Sequence, residues 1–370
     1  MKEEFNARQL AALIFTASLA PITRLLPKVP AQTARGAGWI SPALAYPALL
    51  LFALVLTLFM RRRREGEGLG ELVLRLCPKP LAGAYLGIVA LFLVLSAGFI
   101  LKTGAHRLIS TIYPTSEPWP FTIAMLALGL LAALGPVKAL PRVASIFAPV
   151  LLAVTLLALI LSAHSVQPRN LLPSGGIGSI FLSSLTVVEI YGGLMFAAAF
   201  LEYGCRQTGG RMKSAVKFLA LICLLCTTFC LVIIGSYGAA LTARFSHPFF
   251  SLARDITLLK TIERTEALIA ALWVLSDFVI YTFLLCVSSR IIRLLLGYKP
   301  EKSEKALSLR GGRVAIIICA GVTAFAALFD GGLTERELLK ISQYIIPCIS
   351  LIILFFLTPL MLLSTKIQEK

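Results

Sequence analysis

The stretch SLAPITRLLPKVP, residues 18–30, lies in the first apolar run of the chain and holds Pro21, Pro27, Pro30 and Arg24. A backbone that crosses lipid must satisfy its polar groups internally, so an apolar run of this kind is expected to stay helical. Proline works against that, because it removes a backbone donor and clashes with the preceding turn. The stretch therefore predicts a first span that is broken near its middle, and the rest of the chain decides whether the break is a simple kink or half of a site.

The surrounding composition is that of a membrane protein. Of 370 residues 58% are hydrophobic and 14% charged, with a mean hydropathy of +0.88, against about 45–50% apolar and about 25% charged in soluble domains. The apolar residues form runs of about 20, long enough to cross a hydrocarbon core as helices. None alternates with the period of a membrane strand. Ten spans are expected, at 9–33, 38–60, 80–106, 119–135, 143–163, 177–200, 216–241, 266–294, 312–328 and 342–364. They form one all-α membrane domain over 1–370. The N-terminal MKEEFNARQ is polar and acidic, and no small-residue cleavage site follows it, so no cleaved signal peptide is expected.

The formal net charge of +17 is a matter of placement. Of the 35 Lys and Arg, 23 fall in the terminal segments and in loops 61–79, 136–142, 201–217 and 290–313, all on one side of the bilayer. Basic loops stay cytoplasmic, which places both termini there and assigns the excess charge to topology and anionic lipid. Those loops carry almost no aromatic stacking residues, so nucleic acid is not an expected partner. On the opposite side, 242–265 holds an amphipathic stretch suited to lying on the membrane surface, and 164–176 is rich in turn residues. Segment 66–79 is mildly amphipathic.

Few residues carry chemistry. Among 18 acidic residues, only Glu189 and Asp277 fall well inside spans; Lys102 and Arg24 are the matching cations. A charge at a helix centre costs about 2.5–3.5 kcal/mol on insertion scales, so such residues face a cavity or a partner. Cys223, Cys226 and Cys230 share one helix face without His or carboxylate neighbours, which reads as small-residue packing. No metal or cofactor is expected. No HExxH, phosphate-binding loop or nucleophile elbow occurs, and the three histidines lie at span ends or in loops, so the chain does not read as an enzyme.

Glu189 stands in SSLTVVEIYGGLMF (183–196), followed by Gly192 and Gly193. Tandem glycine weakens a helix, so the sixth span is expected to be broken as well. This break comes five spans after the one at Pro21. Two halves of opposite orientation follow, about 9–163 and 177–364, the pattern of inverted-repeat transporters whose discontinuous helices bind substrate at the bilayer midplane.

Several stretches then resemble one family. RQLAALIFTASLAPITRLLPKVPAQTARGAGWIS (8–41) is similar to its first span and the start of its second, RVASIFAPVLLAVTLLALILS (142–162) with NLLP (170–173) to its fifth and the following loop, EALIAALWVLSDFVIYTF (266–283) to its eighth, and SQYIIPCISLIILFFLTPLMLL (342–363) to its last. The chain thereby resembles the B subunit of bacterial spore germinant receptors, the spore-germination permease family of the amino acid–polyamine–organocation superfamily. The resemblance implies a LeuT-like fold with broken helices 1 and 6. It implies a role in sensing a small nutrient such as an amino acid at the inner membrane of a spore. It also implies partner A and C subunits.

Carried onto this chain, the resemblance implies ligand contacts from Ala20, Pro21, Ile22 and Thr23 in the first span and from Thr186, Glu189, Ile190, Tyr191 and Gly192 in the sixth. It adds Leu95 and Phe99 from the third span and Asp277 and Tyr281 from the eighth. For Leu95 and Phe99, plain bundle packing is an equal reading. The first break departs from the family, whose relatives carry glycine where Ala20-Pro21-Ile22 stands here. Three functions stay open at this point: a germinant-sensing subunit, a proton- or cation-coupled amino acid transporter, and a scaffold without a ligand.

Overall fold

The computed structural model describes residues 7–359 except 63, 65–66, 114, 137–138, 173–175, 202–208, 256–264, 298–309 and 330–333. Cys205, much of the basic charge of loops 201–217 and 290–313, and the end of the expected tenth span lie outside the described residues. All regular structure among the described residues is helical: α1 (Ala7–Leu25), α2 (Lys28–Thr33), α3 (Ser41–Met60), α4 (Leu69–Leu76), α5 (Lys79–Thr111), α6 (Trp119–Leu134), α7 (Ala139–Ser162), α8 (Ile177–Ala199), α9 (Gly209–Arg244), α10 (Pro248–Asp255), α11 (Thr265–Leu295), α12 (Arg310–Leu328), α13 (Glu335–Lys340) and α14 (Ile346–Ile352). Five-residue π turns, Ile341–Ile345 and Ile353–Leu357, flank α14.

Each of the ten expected spans falls on helix. Eight helical stretches among the described residues are long and apolar enough to cross a membrane. The expected fourth and ninth spans coincide instead with the shorter apolar helices Trp119–Leu134 and Gly312–Leu328. Proline opens α3, α5 and α6 within their first two positions, where its missing N–H costs the helix nothing.

The helices form two groups. The α5, α6, α11 and α12 helices pack on one another, while α1, α2, α3, α8 and α9 form the second group; α1 joins the two through α11 and α7. Glycine sets two of the closest approaches in the first group. A methyl at Gly129 of α6 would overlap the ring of Tyr281, and one at Gly98 of α5 would lie 2.9 Å from the Thr323 carbonyl of α12. Small residues at such crossings let membrane helices approach closely.

Two breaks were not anticipated at their positions. The first helix continues past Pro21 to Leu25 and turns only at residues 26–27, before α2. In α9, Gly238 adopts φ 73°, ψ 160°, a backbone region open in practice only to glycine. The Gly235 carbonyl there accepts the Gln167 N–H (3.0 Å) and the Asn170 Nδ2 (2.8 Å), so the turn-rich loop is pinned to the kink.

The sixth-span break is corrected outright: α8 runs as one helix through Gly192 and Gly193. The glycines make room for the last span. A Cβ at Gly192 would lie 3.3 Å from Leu354 and one at Gly193 3.5 Å from Ser350. In lipid, the helical hydrogen bonds outweigh the glycine propensity penalty because the freed groups have no water to turn to.

The amphipathic stretch at 242–265 is also corrected in part. Pro248, Phe249, Phe250, Leu252 and Ala253 of α10 are buried in the protein, with Phe249 against Phe229 and Phe250 against Trp273. This apolar face caps one end of the bundle instead of meeting lipid; residues 256–264 lie outside the described set.

Candidate functional site

A side chain from another helix hydrogen-bonds the backbone of the first helix at its proline turn. In an unbroken α-helix the Thr16 carbonyl accepts the Ala20 N–H. Here the Ser276 hydroxyl of α11 stands between them, donating to Thr16 O at 2.6 Å and accepting from Ala20 N at 2.8 Å. The next residue, Pro21, has no N–H for the Ala17 carbonyl. A side chain inserted into the backbone ladder is a recognised cause of helix distortion. The expected break at Ala20-Pro21 is thus corrected: α1 runs through it as one helix to Leu25, lacking the Pro21 bond and carrying the Ser276 hydroxyl on the backbone groups beside it. One turn on, Thr23 donates to the Ala20 carbonyl (3.1 Å) and accepts from Trp273 Nε1 of α11 (2.9 Å).

Next to this stretch lies a layer of buried charge. Arg107 of α5 and Asp277 of α11 form an ion pair, with side chains 3% and 10% exposed. Gly104 makes room for it: a Cβ there would come 2.8 Å from Asp277 Oδ2. The Arg107 guanidinium also lies over the Trp273 ring, 4.6 Å from its centre. Arg24 of α1 donates from Nη1 to Thr103 of α5 at 2.7 Å and sits 6.0 Å over the Phe99 ring. It is within electrostatic reach of Arg107, Asp277 and Glu189. Lys102 donates to the Phe329 carbonyl at 2.9 Å. His247 follows α9 outside the membrane-spanning helices, its ring 5.6 Å from that of Trp273. Burial, and then the positive charges of Arg107, Arg24 and Lys28, push its pKa down to about 3.

On α8, Thr186, Ile190, Tyr191 and Gly192 are buried and Glu189 is partly exposed. The Tyr191 hydroxyl hydrogen-bonds Ser18 of α1 (3.2 Å) and touches Cys226 Sγ of α9 (3.8 Å). This joins the first, sixth and seventh spans. Cys223, Cys226 and Cys230 are free and buried. Among the described residues no group of three His, Cys, Asp or Glu is placed to hold a metal ion.

The structure thus brings together Ala20, Pro21, Ile22, Thr23, Phe99, Glu189, Tyr191 and Asp277, either in direct contact or through Arg24, Ser18, Ser276 and Trp273. The other five fall elsewhere: Thr186 and Ile190 are buried on α8 without a bond to this group, and Gly192 faces Leu354 and Phe52. Leu95 is 46% exposed on the outer face of α5, one turn from Phe99 but beyond the edge of the buried face. Tyr281 is fully buried with its ring against Gly129 of α6, turned away from α1 and α8. Sequence reasoning missed Ser276, Trp273 and Arg107. Arg107 lay one residue past the expected end of the third span, whereas α5 continues to Thr111.

The family model described as "Spore germination protein" matches residues 4–329. No curated protein matches the chain. Among solved structures, a Na+-coupled sialic acid symporter in a substrate-bound outward-open state aligns at TM-score 0.62 and 14% identity, covering 95% of this chain and 79% of that one. MhsT in complex with L-phenylalanine aligns at TM-score 0.55 and 16% identity, covering 99% of this chain and 100% of that one. At such identities the likeness establishes the fold, which is LeuT-like.

Proposed function

Because the chain belongs to the spore germination protein family, we propose that it is the nutrient-sensing membrane subunit of a spore germinant receptor. It binds a small nutrient, an amino acid by preference, between α1, α8 and α11. The observation that carries this reading is the meeting of the proline turn of α1 with buried charge: Ser276 hydrogen-bonds Thr16 and Ala20 beside Arg24, and the Arg107–Asp277 pair lies next to them. A core kept for stability alone has little use for four ionisable groups in lipid. A transporter-like bundle that has two states uses such groups to tell ligand-bound from ligand-free.

Binding shifts the bundle between states, and the shift is as large as the ligand's difference in affinity for the two. Partner A and C subunits of the receptor read the result. The basic loops support an orientation with both termini cytoplasmic in the spore inner membrane. The order of the spans supports an inverted repeat of about 9–163 and 177–364. In that orientation α10 and the Arg107–Asp277 pair lie on the outer side of the site.

A second reading is a cation- or proton-coupled amino acid transporter. It is favoured by the solved relatives in the fold, one of which is a Na+-coupled symporter. Uptake in proteoliposomes separates the two. The receptor reading expects amino acid binding without accumulation; concentrative uptake driven by a sodium or pH gradient would replace it with the transporter.

A further inference from the structure

A short helix bridges the two helix groups at the end of α11 that lies away from α10. It is α4, eight residues with an extended residue at each end, Gly68 and Cys77. Its Leu69, Leu72 and Val73 are buried in the core. Glu71 and Gly70 tie it to α11. The Glu71 carboxylate pairs with Arg290 at 3.2 Å, the two side chains being 11% and 8% exposed, and a Cβ at Gly70 would lie 2.7 Å from Leu294. The second oxygen of Glu71 accepts the Gly68 N–H at 2.9 Å. One carboxylate therefore fixes both the start of α4 and its place on α11.

Phe200, the residue after α8, meets this helix from the other group. A Cβ at Gly68 would lie 2.7 Å from the Phe200 carbonyl oxygen, and one at Gly70 3.6 Å from the Phe200 ring. Small residues permit such an approach, and Phe200 is 1% exposed in it. Next to Phe200, Leu201 lines a cleft together with Cys286 and Arg290 of α11 and Gly312 of α12. The cleft holds about 30 Å³, room for a water or two and none for a bulkier molecule. Cys286 is a free, buried thiol.

The α8 helix is also bonded to α1, through Tyr191 and Ser18 at 3.2 Å. A displacement of α1 and α8 against α11 therefore passes through the Phe200 contact. Packed contacts of this kind switch between discrete arrangements rather than deform continuously.

We propose that α4 is a seat that latches the end of α8 onto α11, and that release of Phe200 from Gly68 and Gly70 opens the cleft beside Cys286. Glu71 and Arg290 hold the seat in position, and the two glycines give it its shape. The latch is a conformational device beyond nutrient binding and does not depend on it.

The test is the rate at which a membrane-impermeant maleimide labels Cys286 in the full chain in nanodiscs, read by peptide mass spectrometry. In the wild type the rate is expected to be far below that of the SDS-denatured chain. Gly68→Ala fits the backbone, since Gly68 has φ −90°, but its methyl takes the space of the Phe200 carbonyl oxygen. Gly68→Ala, Glu71→Gln and Phe200→Leu are each expected to raise the rate several-fold. Glu67→Gln is the control, because its partner Arg75 lies on α4 itself; it is expected to label as the wild type does.

Wild-type Cys286 that labels as fast as in the denatured chain overturns the latch without any variant. A folded Gly68→Ala, Glu71→Gln or Phe200→Leu that labels as slowly as the wild type overturns it too. An equal rise in Glu67→Gln shows general loosening in place of a latch and also overturns it.

Discussion

Ser276 bonds the backbone of α1 beside Pro21: its hydroxyl takes the Ala20 N–H at 2.8 Å and returns a hydrogen bond to the Thr16 carbonyl at 2.6 Å. In lipid those groups have no water to turn to, so the hydroxyl matters to both of them. Ser276→Ala strands two buried polar groups or forces α1 to close. The expected loss is about 1–3 kcal/mol, read as a lower melting point in detergent or nanodiscs. Ser276→Thr, which keeps the hydroxyl, is expected to stay close to wild type. Equal melting points for the Ala and Thr variants would contradict the insertion.

The Arg107–Asp277 pair makes a double-mutant prediction. Removing one partner of a buried pair leaves an uncompensated charge and costs about 3–5 kcal/mol, whereas replacing both with apolar residues of similar volume is often neutral. Asp277→Leu alone is expected to collapse the yield of folded protein, and adding Arg107→Met to restore most of it. A double variant no better than the worse single would show that each residue acts independently of the other.

Gly129 and Gly104 carry packing predictions that differ in kind. At Gly129 the neighbour is the rigid ring of Tyr281, so Gly129→Val is expected to destabilise by about 1–3 kcal/mol through overpacking. At Gly104 the neighbour is the Asp277 carboxylate, so Gly104→Val is expected to weaken the ion pair as well. Thermal melts of Gly104→Val with and without the Arg107→Met, Asp277→Leu replacement read the difference. The glycine substitution should be less harmful when the pair is absent.

His247 predicts a pH dependence with a definite sign. Its pKa in the folded protein is about 3, against an ordinary 6.5. Below pH 6.5 the unfolded chain binds a proton that the folded chain refuses. The histidine therefore lowers stability progressively as pH falls from about 6.5 toward 3, and has no such effect above 6.5. Compared with His247→Phe, the wild type is expected to lose melting temperature between pH 7 and pH 4. A constant gap between the two across that range would contradict the burial argument.

The sequence carried the helices better than the site. The expected apolar runs land on helix where they are described, eight of them in stretches long and apolar enough to cross a membrane. Glu189 and Asp277 stood out because a carboxylate in such a run is costly. Leu95 was misplaced for want of any rotational signal: α5 is apolar almost all round, so the pattern does not show which side of it faces the bundle. The break at Gly192-Gly193 was misread because glycine propensity in water was applied to a helix without water, where the pair serves close packing against Leu354 and Ser350. Ser276 left no trace in the sequence, since a lone serine in a span gains meaning only from the proline-disturbed turn it meets across 256 residues.

In the proposed function a nutrient bound between α1 and α8 starts the response, with Glu189 part of its recognition. The most direct measurement is the germination of spores whose receptor carries Glu189→Gln, scored against the amount of the chain in their membranes. The variant is expected to accumulate as the wild type does, in spores that no longer respond to the nutrient. Normal germination with normal accumulation would contradict it.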